Sequence, residues 1–184
     1  MPLHTGQGRI ALPPATAAGG ASASVRAEAS TTLLIGFGNV LLGDDGAGVR
    51  LLERLQCELG PEVATFVDGG TLSFSLLPYL QCTESLLVMD AADLNASSGS
   101  VGLFEGRDMD RFLATTRRRS VHEVGLIDLL DMARLQDCLP CRRALLCIQP
   151  QHIDWSEALS TPVLRALPDA TRVARALLRR WNTL

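Results

Sequence analysis

Asp45, Asp68 and His122 are the residues of this chain whose types and settings suit a shared chemistry. Each stands beside a turn or a helix start, in Gly36-Phe-Gly-Asn-Val-Leu-Leu-Gly-Asp-Asp-Gly46, Val67-Asp-Gly-Gly-Thr71 and Ser120-Val-His-Glu-Val-Gly125. Two carboxylates and one imidazole form a hard-to-borderline donor set suited to a divalent first-row metal, and three donors leave coordination positions open for substrate or water. That arrangement belongs to catalysis or metal sensing. No G-x-S-x-G elbow occurs and no cysteine has a local His partner, so any hydrolysis would run through metal or carboxylate chemistry.

The elements that must position these residues follow from the apolar pattern. Leu33 to Phe37 is a continuous apolar run ended by glycine, the signature of a strand buried on both faces. Val49, Leu52, Leu55 and Leu59 then recur at helical spacing until Gly60-Pro61 stops the helix. Strands are expected over Val63 to Val67, Leu86 to Met89, Val101 to Phe104 and Ala144 to Ile148. Helices are expected over Ser73 to Leu80, Asp108 to Leu113, Val121 to Leu135 and Pro162 to Trp181, the last open to interruption at Pro168. The fourth strand follows a turn rather than a full helix, so it is a candidate antiparallel or edge strand. The alternation predicts a three-layer α/β domain with a mostly parallel twisted sheet of about five strands and helices on both faces.

In such a sheet the residues just past the carboxyl ends of the strands meet in one crevice. Asp45 follows the first strand and Asp68 ends the second, so topology alone brings them to one edge. Ser120 and Glu123 form a capping box that sets His122 in the first turn of its helix, where the positive helix end favours neutral, metal-binding imidazole. Plainer roles stand beside these. Asp44 or Asp45 also suits the N-cap of the following helix, Asp68 a turn before Gly-Gly, and His122 an ordinary helix start.

Other motifs carry less. Leu41 occupies the third position of a G-x-G-x-x-G pattern and two aspartates follow, which opposes phosphate binding. Asp90 and Asp93 reach the same sheet edge, chiefly as turn residues, and Arg117-Arg-Arg119 reads as a solvated cap of the preceding helix. Cys138-Leu-Pro-Cys141 sits between a helix end and a strand, the wrong setting for a redox pair, and Cys147 with His152 completes a zinc site poorly. All five cysteines are expected to be reduced thiols.

With 184 residues the chain fits one domain. Residues 1–30, rich in Ala, Ser, Gly and Pro, are expected to be a disordered leader before a single domain over residues 31–184. A hydrophobic content of 47%, 20% charged residues and a net charge of -3 argue against nucleic acid and membrane as partners. No spanning segment or secretory signal is present, so a cytoplasmic location is expected.

Ile35-Gly-Phe-Gly-Asn-Val-Leu-Leu-Gly-Asp-Asp-Gly-Ala-Gly-Val49, Val67-Asp-Gly-Gly-Thr71, Met89-Asp-Ala-Ala-Asp93 and Ser120-Val-His-Glu-Val-Gly-Leu126, in that order, resemble the hydrogenase maturation proteases. The similarity runs from about Thr32 to about Pro168 and includes Ile148-Gln-Pro150 and the region of Asp154-Trp155. The resemblance implies an endopeptidase that removes a C-terminal extension from the nickel-loaded precursor of a nickel-iron hydrogenase large subunit. It implies that Asp45, Asp68 and His122 contact the metal and serve cleavage, the nickel being supplied by the precursor. The family often carries glutamate where this chain has Asp45. A monomer is expected, and the alternative function is a non-proteolytic metal-sensing assembly chaperone for the same enzyme.

Overall fold

The computed structural model describes residues 32–70, 76–116 and 121–184, with the side chains of residues 116 and 121–124 left aside. The expected leader, the N-cap at Ser120 and the arginine run 117–119 lie outside the described residues.

Among the described residues five strands form one sheet: β1 (Thr32–Phe37), β2 (Thr65–Gly70), β3 (Ser85–Ala91), β4 (Val101–Glu105) and β5 (Arg142–Ile148). Their order is β2-β1-β3-β5-β4. All neighbours are parallel except β4, which pairs antiparallel with β5 at the edge. The helices are α1 (Ala47–Leu59), α2 (Leu77–Leu80), α3 (Arg107–Thr116), α4 (Val121–Leu135) and α5 (Thr161–Arg180). The expected three-layer α/β architecture is therefore the one observed.

Side-chain alternation along the buried strands feeds two cores. Leu34, Leu87, Met89 and Leu146 face α1 and α5, whereas Leu33, Ile35, Val88 and Leu145 face α2, α3 and α4. β1 and β3 are buried at every residue, which is why they read as continuous apolar runs. Among the described residues no helix is long and apolar enough to cross a membrane.

Three elements depart from the sequence pattern. β2 begins later than expected and continues through Asp68, Gly69 and Gly70, so Asp68 lies inside the strand rather than at its end. The pairing survives because Gly36 stands opposite Asp68 and Phe37 opposite Gly70, with a register shift that skips Gly69. α3 spans ten residues instead of six. Finally, α5 runs unbroken through Pro168. The proline sits on the exposed face, so the Leu164 carbonyl, deprived of its usual N–H partner, is on the exposed side of the helix, where water can take that N–H's place.

α1 lies unusually close to the sheet. A Cβ on Gly48 would come 2.3 Å from the Met89 carbonyl oxygen and 2.4 Å from that of Phe37. Only glycine lets the first turn of α1 rest directly on β1 and β3.

Candidate active site

β1 and β3 are neighbours, yet the chain leaves β1 toward β2 on one side and returns to β3 on the other. This is a topological switch point, where a crevice opens beyond the carboxyl ends of the strands. The loop leaving β1 spans Gly38 to Leu42 and tightens into a 3-10 turn, Gly43–Gly46. Gly38 has φ +124, and a Cβ there would lie 1.9 Å from the Asp45 carbonyl oxygen. The loop therefore folds back onto itself at its first residue.

That folding orients Asp45. Its Oδ2 accepts a hydrogen bond of 2.8 Å from the Asn39 N–H, and the residue is 7% exposed. One residue earlier, the Gly38 N–H donates to the Gly70 carbonyl oxygen at 3.1 Å. The Gly70 N–H in turn donates to Asp68 Oδ1 at 2.8 Å. Successive amides leaving β1 thus tie both carboxylates to one point on the sheet edge. Asp45 is nearly buried and Asp68 is exposed. Among the described residues Asp68 Oδ2 has no hydrogen-bond partner, so the fixed Oδ1 aims an oxygen that remains available.

His122 arrives by a different route. α4 spans 15 residues, about 22 Å, and hands the chain to the amino end of β5, whose seven residues cover about 23 Å. A helix of that length ending at the amino edge starts near the carboxyl edge. α4 begins at Val121, so His122 falls in its first turn. Its imidazole belongs to the side chains left aside, and among the described residues no three His, Cys, Asp or Glu side chains form a metal-holding group.

Asp44 has a role the sequence reading did not assign. It is 0% exposed, and its oxygens accept hydrogen bonds from the Gln151 N–H (2.8 Å), the His152 N–H (3.4 Å), the Ser160 N–H (2.7 Å) and the Ser160 hydroxyl (2.7 Å). Burial pushes its pKa up, but the donors outweigh burial, Ser160 foremost, and hold the carboxyl below the ordinary aspartate value. The expected N-cap role is not found: the start of α1 has no side-chain cap, because the 3-10 turn intervenes and Gly46 occupies that position. Asp44 instead locks the loop after β1 to the segment after β5. A short parallel bridge between Leu42 and Ser156 reinforces the lock, with the Gly43 N–H donating to the Ser156 carbonyl at 2.7 Å.

The remaining candidates behave as turn or core residues. Asp93 Oδ1 accepts from the Asn95 N–H at 2.9 Å, in a turn where Asn95 takes φ 51. Asp90 is buried within β3 and accepts from the Ala91 N–H at 2.8 Å. Cys138 and Cys141 are free thiols between α4 and β5, and Cys147 is buried in β5.

Chemically, the edge offers two oriented carboxylates, one shielded and one open. The pattern of the hydrogenase maturation protease family matches residues 49–176. HoxM of Cupriavidus necator, a hydrogenase expression/formation protein, is 34% identical over 151 residues, covering 80% of this chain and 74% of that protein. The hydrogenase 2 maturation protease of Escherichia coli is 28% identical over 149 residues, covering 80% of this chain and 90% of its own. Among solved structures, the hydrogenase maturating endopeptidase HybD of Escherichia coli superposes with a TM-score of 0.76 at 26% identity, over 82% of this chain and 93% of that one. The chain is a peptidase and belongs to the hydrogenase maturation protease family.

Proposed function

We propose that this peptidase removes the C-terminal extension of the large-subunit precursor of a nickel-iron hydrogenase after nickel has been inserted. The observation that carries this is the pair of carboxylates tied to one sheet edge, Asp45 by the Asn39 N–H and Asp68 by the Gly70 N–H, in a chain of this family. Two carboxylates and the His122 imidazole are too few for a closed cage but suit a metal that already has ligands in another protein. Nickel is then part of the substrate. Asp45, Asp68 and His122 contact it, which makes cleavage conditional on loading. Asp68, with one oxygen held and the other open, is the group best placed to take a proton from water. The protein acts in the cytoplasm as a monomer.

The test is to incubate the purified protein with nickel-loaded and with nickel-free precursor and to weigh the large subunit by mass spectrometry. The loaded precursor is expected to lose a C-terminal peptide and the empty one to stay intact. A loaded precursor that keeps its full mass overturns the proposal.

A further inference from the structure

Trp155 is 83% exposed, while the other tryptophan, Trp181, is 7% exposed. Leaving so large an apolar side chain in water forgoes the gain of burying it, and isolated tryptophans of this kind mark contact surfaces. Its neighbourhood is not random. Through the Leu42–Ser156 parallel bridge, Leu41 and Trp155 stand side by side, the Ser156 N–H donating to the Leu41 carbonyl at 3.0 Å. Leu41 is 45% exposed and Ile153, two residues before Trp155, is 50% exposed.

Three features distinguish this patch from scattered surface leucines. First, it is continuous with the proposed catalytic edge: Asn39 donates its N–H to Asp45 and accepts the Leu41 N–H on its side-chain oxygen at 3.0 Å. Second, it is held in shape by the buried Asp44 tie, so little ordering entropy is spent when it is covered. Third, Asp154 and Glu157 are exposed on the same segment and no Lys or Arg occurs among residues 38–46 or 151–160. An apolar centre with an acidic rim complements a surface whose apolar centre is bordered by Lys or Arg.

We infer that Leu41, Ile153 and Trp155 form the docking surface for the precursor protein, with Trp155 as its anchor, and that the precursor presents a basic-rimmed apolar patch to it. This rests on the peptidase function proposed above. Docking there brings the precursor's metal over Asp45 and Asp68 and separates recognition of the substrate from cleavage.

The experiment pairs cleavage kinetics on nickel-loaded precursor with co-elution of protease and precursor in gel filtration. Trp155→Ala is expected to raise KM about tenfold or more with a much smaller change in kcat, and Trp155→Phe to restore most of the loss. Asp154→Lys with Glu157→Lys is expected to raise KM as well and to weaken its dependence on salt. The control is Leu135→Ser, which removes an 84% exposed apolar residue at the opposite edge and is expected to leave both readouts unchanged. An unchanged KM in Trp155→Ala, or an equal effect in Leu135→Ser, overturns the docking surface. Co-elution that depends on Trp155 without any cleavage keeps the surface and overturns the peptidase function, whereas a wild type that neither binds nor cuts overturns both. A wild-type dimer that Trp155→Ala dissociates assigns the patch to a second copy of the chain and overturns the proposal.

Discussion

At the scale of single residues, Asp45, Asp68 and His122 are the proposed catalytic group, and Asp44 holds the loop in place. Replacing Asp45, Asp68 or His122 with alanine is expected to leave a folded protein, by circular dichroism, whose precursor processing falls about 100-fold or more. Normal processing by any one of them would remove that residue from the site. Asp44→Asn is expected to behave differently. An amide cannot accept all four donated hydrogen bonds, so stability should fall by about 2 to 4 kcal/mol, read by denaturant unfolding at neutral pH. Because the folded Asp44 carboxyl is held below its ordinary pKa, its contribution is fully present above the unfolded value of about 4 and is lost as pH falls through the still lower folded value. The stability gap between wild type and Asp44→Asn should therefore stay flat near neutrality and narrow only below about pH 4. The gathering of Asp45 and Asp68 was legible in the sequence because strand ends dictate it. The work of Asp44 was not, since its partners Gln151 and Ser160 lie 107 and 116 positions away and no spacing rule links them.

At the scale of elements, local pattern served well wherever burial was two-sided or amphipathic. β1, α1 and α4 fall within a residue of the boundaries read from their apolar spacing. The failures share a cause: a neighbour overrode a local breaker. Gly69-Gly70 looked like a stop, yet β1 keeps both in the sheet, because Gly69 fits against Ile35 and Phe37 where any Cβ would press within 3.0 Å. Pro168 looked like another stop, but the packing of the other turns and an exposed position carry α5 past it. Pro168→Ala should therefore raise stability, by about 1 to 3 kcal/mol, since it restores a helical hydrogen bond without touching the core. A lower melting temperature in that variant would show that the proline shapes α5 in a needed way.

For the whole molecule, the layer architecture followed from alternation of strands and helices, but the strand order did not. Nothing local says that β3 returns beside β1, the placement that creates the switch point on which the site depends, whereas the turn before β4 did mark it as an antiparallel or edge strand. The thiols contribute no covalent tie among these layers, since no disulfide is formed among the described residues. Cys138→Ser with Cys141→Ser should accordingly melt within a few degrees of wild type and process precursor at its normal rate. Loss of activity in a well-folded double variant would give the pair a function. The tie from Asp44 to Ser160 also bears on manufacture. A ribosome releases the Asp45 loop long before it releases Ser160, and until then the Asp44 carboxylate has only water for donors. The blade of this protease is thus set only when its final helix is being made, so a nascent or truncated chain is born blunt.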